Sequence, residues 1–225
     1  GSAGGWAPVL QSANACLACE LAQAVGKKVD EKVLERARRY QRGNFDAKPG
    51  KAKSGEAAGV ELYAFSGAQR AAAGQAKAAD DFIAKAKSEG KLAKDALVTE
   101  ENLEKAGVKK DQAKQLAGAN AENVARAARL NDDRLLAGFG NHGGEEFYSY
   151  LMTSESLVIT GGEPWTKWNS KMHERLMKVQ NGDGSWSGHH CITSPVFCTA
   201  AVVSCLTTDR DAPMLVRVAQ VAGKQ

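Results

Sequence analysis

No stretch of this 225-residue sequence reaches the apolar run of about eighteen residues that a membrane-spanning helix needs. None alternates apolar and polar side chains over a convincing length either. The first absence argues against a membrane span, the second against appreciable β-sheet. Charge of one sign is equally scarce: 30 basic residues against 26 acidic ones leave a net charge of +4, and the two signs are interspersed. Without a basic patch, neither nucleic acid nor an anionic membrane is an expected partner. The five cysteines, Cys16, Cys19, Cys191, Cys198 and Cys205, are odd in number and cannot all pair within one chain. The last three recur at seven-residue spacing, and Cys16 and Cys19 lie inside a helical pattern, where cysteine behaves as a small buried hydrophobe. Buried reduced thiols are expected, which leans towards the cytoplasm. The opening Gly1-Ser2 reads as a cloning remnant and leaves the native start and any leader open.

What the sequence does contain is helical periodicity. Apolar residues at 43% and charged residues at 25% are ordinary for a globular protein. The stretch 12–26, "SANACLACELAQAVG", opens on a Ser, closes on a Gly and is apolar on nearly every side, so cover all round is expected. In "VDEKVLERARRYQRG", Asp30 is the expected cap, and Val33, Leu34, Ala37 and Tyr40 form one stripe. At the other end, 145–159 is rich in aromatic and aliphatic residues. The stretch 163–180 places Trp165, Trp168, Met172, Leu176 and Val179 on one face opposite Lys, Glu and Arg. The stretch 194–206, "SPVFCTAAVVSCL", has a Ser cap, a Pro at the first helical position and apolar residues all round, and a final helix covers 212–223. Between these ends, 47–58 reads as an exposed loop. Residues 67–94 form an Ala- and Lys-rich helix with a thin packing face, Thr99 starts a short helix, and 109–130 supports one more.

An apolar helix followed by a one-faced helix, repeated with Gly-rich turns, is the pattern of stacked helical hairpins. The fold class expected is all-α, one domain over 1–225, arranged as an α/α toroid or partial toroid in which the first helix of each pair is covered by its neighbours.

The loop 180–193, "QNGDGSWSGHHCIT", carries Gln180, Gly184 and Trp186 in the Q-x-x-x-G-x-W order. This resembles the repeat of squalene–hopene cyclases and protein prenyltransferase beta subunits. "AGGWAP" at 3–8 looks like the tail of another copy, and "YQRGNF" at 40–45 like a degenerate one. "SPVFCTAAVVSCL" and "SANACLACELAQ" are similar to the inner-helix segment that follows such a turn. The likeness covers 3–46 and 137–222. It implies a toroid of concentric inner and outer helices, and a length short for a closed toroid points to the C-terminal part of a longer protein. Gln180, Gly184 and Trp186 have a structural reading: the Gln satisfies helix-end groups, the Gly allows the turn and the Trp covers the helix end. "NGDGS" is no calcium loop, because Trp186 stands where that loop needs Gly and no acid closes it.

The departures from the family bear on activity. The aspartate-rich run by which the cyclases protonate an alkene is missing, and the 6% aromatic content is low for a cavity that stabilises carbocations. Prenyltransferase beta subunits hold zinc with Asp, Cys and His. The resemblance puts Asn14, Cys16 and Cys198 at those positions, so two of three ligands are altered. No cofactor is expected from this set, with zinc the one candidate.

Two polar clusters stand apart from the resemblance. His189, His190 and Cys191 adjoin in the loop, and with Cys198 they form a candidate metal set. His142, Glu145 and Glu146 sit where "GFGNHGGEEFYSY" enters a helix. The candidate catalytic set is His142, Glu145, His190 and Cys191, working as a thiol–imidazole pair or with a metal. The bland alternatives are a His capping a helix and acids favoured by the helix dipole. The leading functional expectation is a helical-repeat module that binds or scaffolds through its concave face, with an unknown protein or an apolar small molecule as partner. The alternatives are a metal- or thiol-dependent enzyme at the mouth formed by 142–146 and 189–191, and isoprenoid or lipid binding without turnover.

Overall fold

The computed structural model describes residues 7–46, 51–52 and 57–223. Its helices run in chain order as α1 (Pro8–Ala24), α2 (Glu31–Gly43), α3 (Glu61–Ser88), α4 (Glu100–Lys105), α5 (Lys110–Ala127), α6 (Asp133–Leu136), α7 (Gly144–Thr160), α8 (Gly162–Met177), α9 (Pro195–Leu206) and α10 (Thr208–Gly223). Two strands, Phe45–Asp46 and Lys51–Ala52, pair antiparallel with Phe45 opposite Ala52. The protein is therefore all-α, with the small strand content expected. No helix is long and apolar enough to cross a membrane among the described residues. Most of the loop expected over 47–58, and most of the "AGGWAP" copy, lie outside the described residues.

The hub is α3, the helix whose packing face looked thin. Every residue from Leu62 to Gly74 is buried, because α1, α2, α5, α7 and α10 pack around it. Its Ala, Gly and Ser side chains explain how. A helix with short side chains on every side lets neighbouring axes approach closely from every side, and a helix covered all round must carry little that needs water. Contacts between Tyr63 and Glu146, then between Gln69 or Arg70 and Ser156 or Glu155, advance in the same direction, so α3 and α7 run parallel. Contacts between Ala68 and Arg126 and between Asp80 and Asn120 run oppositely, so α5 lies antiparallel to α3.

This arrangement corrects two burial expectations. Helix α1 buries one stripe, Val9, Leu10, Ala13, Cys16 and Glu20, while Asn14, Ala15 and Ala18 face solvent. Helix α9 likewise buries Cys198, Ala201, Val202 and Cys205 and leaves Val196 81% and Val203 47% exposed. An apolar surface permits cover on all sides without supplying it, and α9 packs chiefly on α7, with smaller contacts to α8 and α10. The amphipathic helices behave as expected, with shifted stripes. Helix α2 buries Leu34, Arg38 and Gln41, and Val33 is exposed. Helix α8 buries Trp168, Met172 and Leu176, while Trp165 is half-buried against the core and Val179 is exposed. Asp30 caps α2 through Lys32 N at 2.9 Å, and Thr99 caps α4 through Asn102 N at 3.1 Å. Ser12 and Ser194 do not cap: α1 starts upstream at Pro8, and Ser194 makes no side-chain cap bond.

One charged network crosses this core. Arg70 of α3 meets Glu20 of α1 at 3.1 Å and Glu155 of α7 at 3.3 Å, and Glu20 also takes Arg38 of α2 at 2.9 Å. Burial pushes the nearby Cys16 thiol up to about 12. Cys16, Cys198 and Cys205 are buried free thiols, as expected, but Cys19 is half-buried and Cys191 exposed.

Close packing on the hub is testable with two glycines. A Cβ at Gly67 of α3 would collide with the side-chain oxygen of Gln41, whose amide nitrogen is held by Val9 O at 3.1 Å. A Cβ at Gly118 of α5 meets nothing. In urea denaturation, Gly67→Ala should lower stability by about 1–3 kcal/mol, whereas Gly118→Ala should raise it by roughly 0.5–1 kcal/mol.

Candidate functional site

The candidate residues gather where α7 begins. The segments on either side are zipped by their backbones: Gly144 N donates to Ile192 O at 2.9 Å and His189 N to His142 O at 2.8 Å. This closeness requires glycine at two places. A Cβ on Gly143 would strike the His190 ring, and one on Gly144 would strike Ile192 and Phe197.

Glu146, fully buried, is the centre. It stands at the third helical position, and its Oε2 accepts from Gly143 N at 2.9 Å, the return arm of a capping box. Its Oε1 accepts from the Tyr63 hydroxyl at 2.7 Å and from Phe139 N at 3.0 Å. His190 Nε2 lies 3.1 Å from Oε2 and 2.8 Å from the carbonyl oxygen of Asn141. A nitrogen facing two acceptors carries the proton. Burial and the neighbouring Glu146 together push the Tyr63 phenol far up, so its proton stays in place. Glu145, only 5% exposed, accepts from Ile192 N at 3.3 Å.

The other candidates fall at different distances from this centre. His190 Nδ1 is buried with no hydrogen-bond partner, and its ring lies 5.1 Å from that of Phe139. His142 is half-buried with its ring edge towards Phe147 at 5.7 Å and its Nε2 unpartnered. Burial, then Arg175, holds His142 below its ordinary value. His189 is exposed and takes part through its backbone alone. Cys191 is exposed at φ +46°, a strained angle for a residue with a Cβ. Desolvation, then Glu145 and Glu146, raises its thiol, which lowers the thiolate fraction that a nucleophile needs. No imidazole hydrogen-bonds to it among the described residues. Cys198 is buried with its thiol towards Ile192 O at 3.7 Å.

The donor atoms of the expected metal set His189, His190, Cys191 and Cys198 are not brought together among the described residues. Among the described residues, the group whose donor atoms come together is Glu145, Glu146 and His190, all within 4.8 Å of one another. The set implied by the family resemblance is not assembled either. Asn14 is exposed on α1, Cys16 is buried beside the network of Glu20, Arg38 and Arg70, and Cys198 is at the corner of α9.

Gln180, Gly184 and Trp186 lie in the turn from α8 to α9. Gln180 Nε2 donates to Gly184 O at 2.8 Å, and Gly184 takes φ +85°. The buried Trp186 indole donates to Leu176 O at 2.8 Å, satisfying a carbonyl of the last turn of α8. Gln180 and Gly184 act within the turn, and Trp186 ties it to the end of α8.

Sequence reasoning named Glu146 without its central place, although a Gly at the cap with Glu three residues on is a readable capping signal. Tyr63 was missed. It reaches the site from 83 residues away, and no local pattern announces such a contact. Comparison with family models, with curated proteins and with solved structures finds no match.

His142 supplies a pH test. Its folded value lies below the unfolded one, with Arg175, Glu146, His189 and His190 the charged or titratable groups acting on it. At pH well above about 6.5 both states hold it neutral. As pH falls through that value the unfolded chain takes up the proton first, so stability declines. Denaturation midpoints between about pH 7.5 and about pH 5.5 should fall for the wild type, with a shallower slope for His142→Asn.

Proposed function

We propose that this corner binds a divalent metal ion of the zinc class through Glu145, Glu146 and His190, and that the protein carries out metal-assisted chemistry there. The observation that carries the reading is the convergence of three donor atoms within 4.8 Å, two of them on adjacent buried carboxylates. Neighbouring carboxylates out of water repel one another and favour either a shared proton or a cation between them. The donors that hold this pair are backbone amides, a phenol and an imidazole, which leave the pair short of positive charge. An imidazole beside two carboxylates suits zinc better than magnesium or calcium, which prefer oxygen alone.

Three protein donors with a position left open are the mark of a catalytic rather than a structural zinc site. An ion held there would lower the pKa of a bound water or polarise a carbonyl oxygen. This chain's own part is to orient the donors. Tyr63 and the amides of Phe139 and Gly143 fix Glu146, and Ile192 N fixes Glu145. Phe139, 60% exposed over the His190 ring, gives the mouth an apolar wall. A thiol enzyme is the weaker reading, since the Cys191 thiol is raised rather than lowered.

Metal-free protein titrated with zinc in a calorimeter should bind one ion per chain. Glu145→Gln, which keeps the size of the side chain and an acceptor for Ile192 N, should weaken binding by about tenfold or more without changing the helical circular dichroism. Equal binding by wild type and Glu145→Gln, or no stoichiometric binding, would sink the proposal.

A further inference from the structure

Helix α7 ends at Thr160, level with the middle of α3, while α3 continues to Ser88. Beyond that step a groove of about 440 Å³ lies between α5 and the start of α8, with Asp80 of α3 in its lining. Small-molecule sites occupy about 300–1,000 Å³, so the groove is large enough for one.

Its polar groups are specific. Asn123 of α5 is only 5% exposed, lines the groove, and its Nδ2 has no hydrogen-bond partner. An amide N–H left unsatisfied in the interior is costly and demands an acceptor. One helical turn earlier, Asn120 Nδ2 donates to Asp80 Oδ1 at 3.0 Å, which fixes the Asp80 carboxylate in the groove. Asn120 and Asn123 are three residues apart on one face, about 5–6 Å between Cβ atoms, so the Asn123 donor and the Asp80 acceptor line neighbouring parts of the same groove. The lysines at the rim are already engaged: Lys167 pairs with Glu163 at 2.7 Å and Lys171 with Asp133 at 3.0 Å. Val124, 61% exposed, and an edge of Trp168 add apolar surface.

We propose that this groove binds a small amphipathic molecule bearing an amide, whose carbonyl oxygen accepts from Asn123 Nδ2, whose N–H donates to Asp80, and whose apolar part lies against Val124 and Trp168. A donor beside an acceptor on the protein is complementary to the two edges of an amide. A bare amine answers only Asp80, and a carboxylate answers only Asn123 while being repelled by Asp80. Binding here is independent of the metal corner at the opposite end of α7.

The test uses three indole probes on the full chain: N-acetyltryptophanamide, tryptamine and indole-3-acetate, each titrated by ligand-observed NMR. The neutral amide should bind with Kd on the order of 0.1 mM and more tightly than the other two. Asn123→Leu should weaken the amide by about tenfold or more while leaving the melting temperature unchanged or higher, since it removes an unpartnered polar group. Val124→Arg, at an exposed position, should block binding without touching the core, and it keeps the test decisive should Asn123→Leu fail to fold. Glu145→Gln should bind the amide as the wild type does. Tighter binding of tryptamine or indole-3-acetate, no binding of the amide at millimolar concentration, or binding indifferent to Val124→Arg would each overturn the proposal.

Discussion

The structure depends on a helix rich in small side chains being covered on every side through its first half. Helix α3 can be approached by five helices because Ala64, Ala68, Ala71, Ala72, Ala73 and Ala76 keep its surface shallow. Arg70 stands in the middle of that surface. Its guanidinium cannot reach water, so it must be met by carboxylates from the helices that cover it, Glu20 on α1 and Glu155 on α7. A buried ion pair of this kind adds little net stability over well-packed apolar residues, but breaking it is costly. Its effect is to set register: α1, α2 and α7 must each place a charge at one height along α3.

That register carries through to the corner. Tyr63 sits two turns before Arg70 on α3, and Glu146 stands correspondingly before Glu155 on α7, so the parallel pairing that joins Arg70 to Glu155 also brings the Tyr63 hydroxyl to Glu146. The corner is thus fastened to the hub by a hydrogen bond rather than left as a surface loop. Two glycines let the 138–144 and 188–193 segments approach until backbone bonds and the His190 ring fill the space between them. A donor group held by bonds to rigid elements is preorganised, which any ligand-binding or catalytic arrangement requires.

Incomplete cover is the counterpart of the hub. Where α7 stops short of α3, the groove beside Asn123 opens. Where α9 lies at the margin, Val196, Phe197 and Val203 remain in solvent. Both follow from the same geometry: helices of unequal length around one axis leave steps, and the outermost helix has a free side.

Local patterns determined the helices. Asp30 and Thr99 named two starts, Gly26 a stop, and the period of Trp168, Met172 and Leu176 named the buried face of α8, because capping, turn angles and helical spacing are properties of a few adjacent residues. Gly184 takes a positive φ and Trp186 meets the end of α8, whereas the Gln180 amide bonds within the turn rather than to a helix end. Which helix lies at the centre was not legible. Apolarity marked α1 and α9 for the interior, whereas all-round burial went to the Ala-rich α3, since burial is conferred by neighbours and its small residues admit more of them. The site was half legible: His142, Glu145 and the 189–191 loop meet at one end of α7, but Cys191 turns outwards with a strained backbone. The partner that completes the cluster, Tyr63, comes from α3. Only the parallel packing of α3 on α7 decided that contact, because residues so far apart in the chain are brought together by tertiary register alone.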